Sequence, residues 1–188
     1  MTWNPNAVIR LALLGLVGGI LQLAAVSQLT VFGVPADLSP LLVAAVGLLG
    51  GSIAGAVFGF SLGLFLDTTL MQTLGVTSLV LTCIGYGAGR LRELRDPAHS
   101  LIPVAVGAVA TALFVLGFAI LQFLLGVDAP ISLLFLRHAI LAILLNSLLA
   151  LPVYALVRRL IDPFLPDDPR RRRRRAYTTG GLSPISRA

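Results

Sequence analysis

The chain alternates long apolar runs with short polar interruptions, and the runs have the length of membrane-crossing helices. About 20 apolar residues carry a helix across the hydrocarbon layer. Four stretches approach or exceed that length: Val8 to Phe32, Leu74 to Gly89, Leu101 to Val127 and Ile131 to Leu160. Leu38 to Leu66 fits less simply. As one helix it would extend ~43 Å, beyond a hydrocarbon layer of ~30 Å, whereas as two helices each is short. The polar interruptions decide between these readings. Arginines gather at Arg10, at Arg90, Arg92 and Arg95, and after the last run at Arg158, Arg159 and Arg170 to Arg175, while the connections near Asp37, Asp67 to Thr73 and Asp128 have none. Basic residues flank the cytoplasmic ends of spans. If the chain turns at Gly50 and Gly51, all of these clusters fall on one side; a single crossing would split them. The pattern predicts an all-α membrane protein of about six transmembrane helices, at 8–32, 38–50, 52–67, 74–90, 100–127 and 131–160, with both termini cytoplasmic.

Composition agrees with that reading. The chain is 57% hydrophobic and 12% charged, with a mean hydropathy of +0.95, whereas about a quarter of a soluble domain is charged. The 188 residues accommodate the spans and short loops without an additional soluble domain. The first run is too long for a signal-peptide core and lacks a small-x-small exit, so no cleavable leader is expected. Cys83, alone in an apolar run, has no second thiol for a disulfide or a metal and is expected to serve packing. Beyond the last span, Pro163, Pro166 and Pro169 stop the helix. The segment 166–188 then carries Arg170, Arg171, Arg172, Arg173, Arg174 and Arg175 and reads as a disordered cytoplasmic tail. Each such arginine contributes about 1 kcal/mol of attraction to anionic lipid headgroups. Without interleaved aromatics, the run is not expected to bind nucleic acid.

Gly47, Gly51, Gly55, Gly59 and Gly63 recur every fourth position. A turn at Gly50 and Gly51 leaves Gly55, Gly59 and Gly63 on one continuous helix face, with Gly47 on the preceding helix. Lipid supplies little hydrophobic drive between helices, so small residues that admit close backbone approach do that work. The stripe therefore serves either packing within the chain or docking of a partner helix. Gly15, Gly18 and Gly19 in the first run offer a second candidate docking face. Asp67 ends the stripe on the expected outer side, where a carboxylate needs headgroups or a polar partner. Arg137, about two turns into the last span from the same side, departs from the positive-inside pattern. An Asp67–Arg137 ion pair tying the third span to the sixth is one expectation, and snorkelling of Arg137 to the headgroups is the other.

Catalytic chemistry finds little footing. His99, His138, Glu93 and the aspartates show no spacing that sets a nucleophile beside a base or two carboxylates beside metal ligands. No enzyme activity, cofactor or metal is expected. Gln22, Ser27, Gln28, Gln122 and Asn146 suit hydrogen bonds between helices and do not spell out a ligand.

Residues 55–93, GAVFGFSLGLFLDTTLMQTLGVTSLVLTCIGYGAGRLRE, carry a resemblance. The helix end Gly59-Phe60 with Gly63-Leu64, the aspartate Asp67, the Leu74-Gly75 pair opening the next helix, and the exit Gly85-Tyr86 with Gly89-Arg90 resemble the central signature of the rod shape-determining protein MreD family. The stretch DLSPLLVAAVGLLGG and the last helix with Asn146, Pro152 and Arg158 fit more loosely, and the arginine-rich tail lies outside the pattern. The resemblance implies a component of the bacterial cell-elongation machinery in the cytoplasmic membrane. Its implied partners are an MreC-like single-span protein and the glycan polymerase and transpeptidase that insert lateral wall. It also implies a fold similar to the substrate-binding subunits of energy-coupling-factor vitamin transporters, which makes such a transporter subunit the alternative reading.

Overall fold

The computed structural model describes residues 5–26, 30–31, 34–35, 37–94, 102–126 and 133–161. Six helices form: α1 (Pro5–Leu21, continued by a π turn over Gln22–Val26), α2 (Ser39–Gly50), α3 (Ser52–Thr69), α4 (Val76–Leu94), α5 (Ile102–Leu124) and α6 (Leu133–Ile161). Two-residue strands, β1 (Thr30–Val31) and β2 (Val34–Pro35), pair antiparallel between α1 and α2. The segments 166–188 and Arg170 to Arg175 lie outside the described residues, as do Ser27, Gln28, Arg95, His99 and Asp128.

α2 is the centre of the molecule. Its sequence SPLLVAAVGLLG is apolar all round, as a helix buried on every side must be, and Ser39 to Leu49 are all buried. It packs against α3, α4, α5 and α6, while α1 lies mainly on α3. Its 12 residues rise only ~18 Å. At 12 residues α2 is shorter than a ~30 Å hydrocarbon layer, as the division of 38–66 into two short helices implies. By length and composition α3, α5 and α6 are each sufficient. The outer faces stay apolar, with Leu13, Val17, Val109, Ile120 and Leu148 exposed as lipid contact requires.

The α2–α3 turn falls where the glycines place it. Gly51 closes α2 by donating its N–H to the Gly47 carbonyl (2.8 Å), and its φ of +93° and ψ of 179° are open to glycine almost alone. The next residue starts α3 antiparallel to α2. At this end of the bundle the Glu93 carboxylate reaches Ser52, the Arg92 Nη1 lies 4.0 Å from the Cβ position of Gly51, and Leu11 lines a groove with Ile53. Tyr154, one turn before Arg158, sits beside Leu48. The fold thus gathers Arg10, Arg90, Arg92, Arg158 and Arg159 at one end.

Candidate functional site: helix clamps and exposed faces

The glycine stripe is consumed by α4. A Cβ on Gly55 would collide with the Gly85 carbonyl, one on Gly59 with the Leu81 carbonyl, and one on Gly63 with Ser78 Cα. α4 answers with small residues of its own. A Cβ on Gly85 would strike the Gly55 carbonyl, and one on Gly89 the Ser52 amide. Gly47 meets the same seam from α2, its Cβ position 2.6 Å from the Gly85 oxygen. Backbone lies on backbone along the α3–α4 crossing. Gly85 and Gly89 stand four apart in the sequence, so the reciprocal half of this interface was visible there as spacing. The glycines of α1 also face inward, but onto side chains. Cβ atoms at Gly15, Gly18 and Gly19 would lie 3.2 Å from Phe58, 2.7 Å from Leu42 and 2.8 Å from Phe65. Both glycine sets thus make close contacts within the chain.

Asp67 is buried, 1% exposed, and its Oδ2 accepts from the Gly75 N–H (2.8 Å) and the Ser78 N–H (3.4 Å). Its main-chain carbonyl also accepts from the Gln72 N–H at 3.1 Å. One aspartate at the end of α3 therefore caps the start of α4, where unpaired amides and the helix dipole favour an anion. Gly75, at φ +94°, turns the chain back to present those amides. Ser78 completes the link by donating its hydroxyl to the Phe60 carbonyl at 3.1 Å. This arrangement corrects the expected ion pair: Arg137 is exposed on α6 and forms no salt bridge with Asp67. The physical reason is local, because Oδ2 takes both of its amides from the α3–α4 turn and the start of α4, while Oδ1 is buried without a hydrogen-bond partner.

Two further clamps repeat the device. Asp37 Oδ1 accepts from the Ser39 N–H (2.9 Å) at the start of α2, and the Leu38 N–H donates to Gln22 Oε1 (2.9 Å). Asn146, midway along α6, donates from Nδ2 to the Asp37 carbonyl (2.8 Å) and to Thr111 Oγ1 of α5 (3.1 Å). The short central helix is thereby pinned to α1, α5 and α6 at its first turn. At the opposite end Glu93 of α4 accepts from both the hydroxyl (2.6 Å) and the amide (3.1 Å) of Ser52, capping α3, and pairs with Arg90 at 3.2 Å. Those Ser52 hydrogen bonds hold the Glu93 carboxyl below the usual carboxylate range, with Arg90 adding to the effect. Sequence reasoning weighed Glu93 only as a catalytic type. No spacing links residues 52 and 93, or 37 and 146, so the fold alone brings them together.

The exposed face of α4 differs from its glycine face. Leu79, Cys83, Tyr86 and Gly87 are exposed. A Cβ on Gly87 would meet nothing within 4 Å. Cys83, expected in packing, points outward instead, because the buried face of α4 is set by Leu81, Gly85 and Ala88. Among the described residues no group of histidine, cysteine, aspartate or glutamate side chains is arranged to hold a metal. The polar side chains described above serve helix ends and helix crossings.

No curated protein and no solved structure matches the chain. A family does: rod shape-determining protein MreD, whose sequence model aligns with residues 6–160, from the first turn of α1 to the last of α6. Most of the chain is covered, including the α3–α4 glycine seam and Asp67, and the protein belongs to the rod shape-determining MreD family.

Proposed function

We propose that this membrane protein is a non-enzymatic scaffold of the bacterial cell-elongation complex, lying in the cytoplasmic membrane with the arginine-bearing end and both termini inside. It holds the single helix of an MreC-like partner, whose outer domain meets the wall glycan polymerase and transpeptidase, and so supports lateral peptidoglycan synthesis and cell shape. Membership of a shape-determining family supports the setting. The observation that carries the reading is how the buried polar groups are used: Asp67, Asn146 and Ser52 join helix to helix and leave a preformed apolar bundle to offer its outer faces. A docking helix needs a face with small residues where its backbone can come close. The exposed side of α4 at Cys83 and Gly87 has that character and is the face we assign to the partner.

Co-purification tests this reading. The full chain, tagged at its N-terminus and extracted in mild detergent, should bring down a single-span protein with an extracytoplasmic domain. Gly87→Leu should abolish its recovery while leaving the chain folded, since the new side chain enters open space. Recovery of two ATPases with a second polytopic subunit would sink the scaffold reading and favour the vitamin-transporter alternative.

A further inference from the structure

α2 begins deep in the molecule. Its last residue lies at the arginine-bearing end, so its 12 residues put Ser39 ~18 Å from that end, past the middle of a ~30 Å hydrocarbon layer. Asn146 agrees from the neighbouring helix, 13 residues after the start of α6 at Leu133 and 15 before its end at Ile161. Asp37 and Leu38 are thus backbone outside a helix at membrane depth, which is tolerated only where protein or enclosed water satisfies it. Asn146 does so for the Asp37 carbonyl, and Gln22 for the Leu38 amide.

Asn146 itself is left short. It is 1% exposed, and its Oδ1 is buried without a hydrogen-bond partner. Turning the amide over does not help. Nδ2 faces two groups that can only accept: the Asp37 carbonyl at 2.8 Å, and Thr111 Oγ1 at 3.1 Å, whose own proton goes to the Gly107 carbonyl at 2.9 Å. An exchanged Oδ1 would lie against both acceptors, so the oxygen must point away from them. Among the described residues the other buried side-chain atoms without a partner, Asp67 Oδ1 and Gln122 Oε1, are acceptors too. The species these positions need is a donor.

Geometry and charge select it at Asn146. The oxygen and nitrogen of an amide stand ~2.3 Å apart, which places Oδ1 within ~5.1 Å of the Asp37 carbonyl oxygen and ~5.4 Å of Thr111 Oγ1. One water making two O–H···O bonds of ~2.8 Å spans up to ~5.6 Å. Both of those oxygens keep a lone pair after accepting from Nδ2, so the water has the two or more polar partners that an enclosed water requires. A metal cation suits the place less, because the first turn of α2 is the positive end of a helix dipole.

We propose that one internal water occupies the junction of α2, α5 and α6, donating one hydrogen to Asn146 Oδ1 and the other to the acceptor pair of the Asp37 carbonyl and Thr111 Oγ1. It closes the polar layer that holds the start of the short central helix inside a bundle otherwise packed with hydrocarbon. The site is separate from the α4 face assigned to the partner helix, so the two ideas fail independently.

Diffraction from the full chain crystallised in a lipid mesophase, at a resolution that shows ordered water, tests it. The expected map holds a peak ~2.8 Å from Asn146 Oδ1 and at hydrogen-bonding distance from the Asp37 carbonyl or Thr111 Oγ1. Asn146→Leu, which removes the oxygen, should lose the peak. A wild-type map with no peak there, or with a protein donor on Oδ1, overturns the proposal, and a peak that persists in Asn146→Leu does the same. A peak ringed by five or more oxygens at ~2.3–2.6 Å overturns it in favour of a metal ion. Where Asn146→Leu fails to fold, the wild-type map decides by itself.

Discussion

The two seams that α3 makes, with α4 on one side and with α1 on the other, both use glycine, and to opposite effect. Along α4 the glycines are reciprocal. Gly55 faces Gly85, Gly59 faces the Leu81 carbonyl, Gly63 faces Ser78, and Asp67 caps the far helix where the seam ends. Backbone meets backbone, which neither yields nor repacks. Along α1 the glycines sit on one helix only: Gly15 and Gly19 face the rings of Phe58 and Phe65 of α3, and Gly18 faces the end of Leu42 of α2. Flexible side chains form that seam, and it opens into a groove. Spacing by four predicts close approach but not rigidity. Rigidity comes from what stands opposite the glycine.

Substitution at matched positions breaks this comparison most sharply. Gly55→Ala forces a methyl onto a carbonyl of the facing helix, so the α3–α4 crossing must open; a loss of ~2–3 kcal/mol or more is expected. Gly15→Ala meets only the edge of the Phe58 ring at 3.2 Å, and a shift of that ring should keep the cost within about 1 kcal/mol. Reversible unfolding in mixed micelles measures both, and equal losses would refute the distinction between the seams.

Asp67→Ala removes the acceptor for the Gly75 amide and for the buried Ser78 amide. A loss of ~1–2 kcal/mol is expected, with Asp67→Asn recovering part of it because an oxygen remains. If alanine and asparagine are equally damaging, the carboxylate has another use than the α4 cap.

The Glu93 clamp sharpens the comparison from the basic end. Its carboxyl titrates below the usual carboxylate range in the folded chain because the Ser52 hydroxyl and amide donate to it. A lowered folded pKa contributes stability that is fully present above the unfolded value, near 4.3, and is lost as pH falls through the folded one. Acidification from neutrality to about pH 3 should therefore lower the unfolding temperature of the wild type more than that of Glu93→Gln. Parallel profiles would mean that Ser52 is capped without help from the charge.

The smallest effect is expected at Arg137. It is exposed on α6 and apart from Asp67, so Arg137→Gln should change stability by less than about 0.5 kcal/mol. Exchanging the charges, Asp67→Arg with Arg137→Asp, should be no more stable than Asp67→Arg alone. Rescue in the double exchange would restore the ion pair that the α4 cap replaces.

Hydropathy and charge placement by themselves determined the helix count, the turn at Gly51 and the segregation of arginines from the Asp37 and Asp67 connections, because these depend on the cost of burying charge in hydrocarbon and on residues near one another in the chain. Spacing marked Gly55, Gly59 and Gly63 as a packing face for the same reason: helical periodicity is local. It did not reveal that α4 occupies this face, that α2 lies at the centre of the bundle, or that Cys83 points outward. Nor did it bring Glu93 to Ser52 or Asn146 to the Asp37 carbonyl. Those pairings join residues 41 and 109 positions apart. Only the tertiary structure decided them, because a buried polar atom bonds whatever the packed helices carry within reach, and that neighbour is set by how helices cross, not by the order of residues along either one.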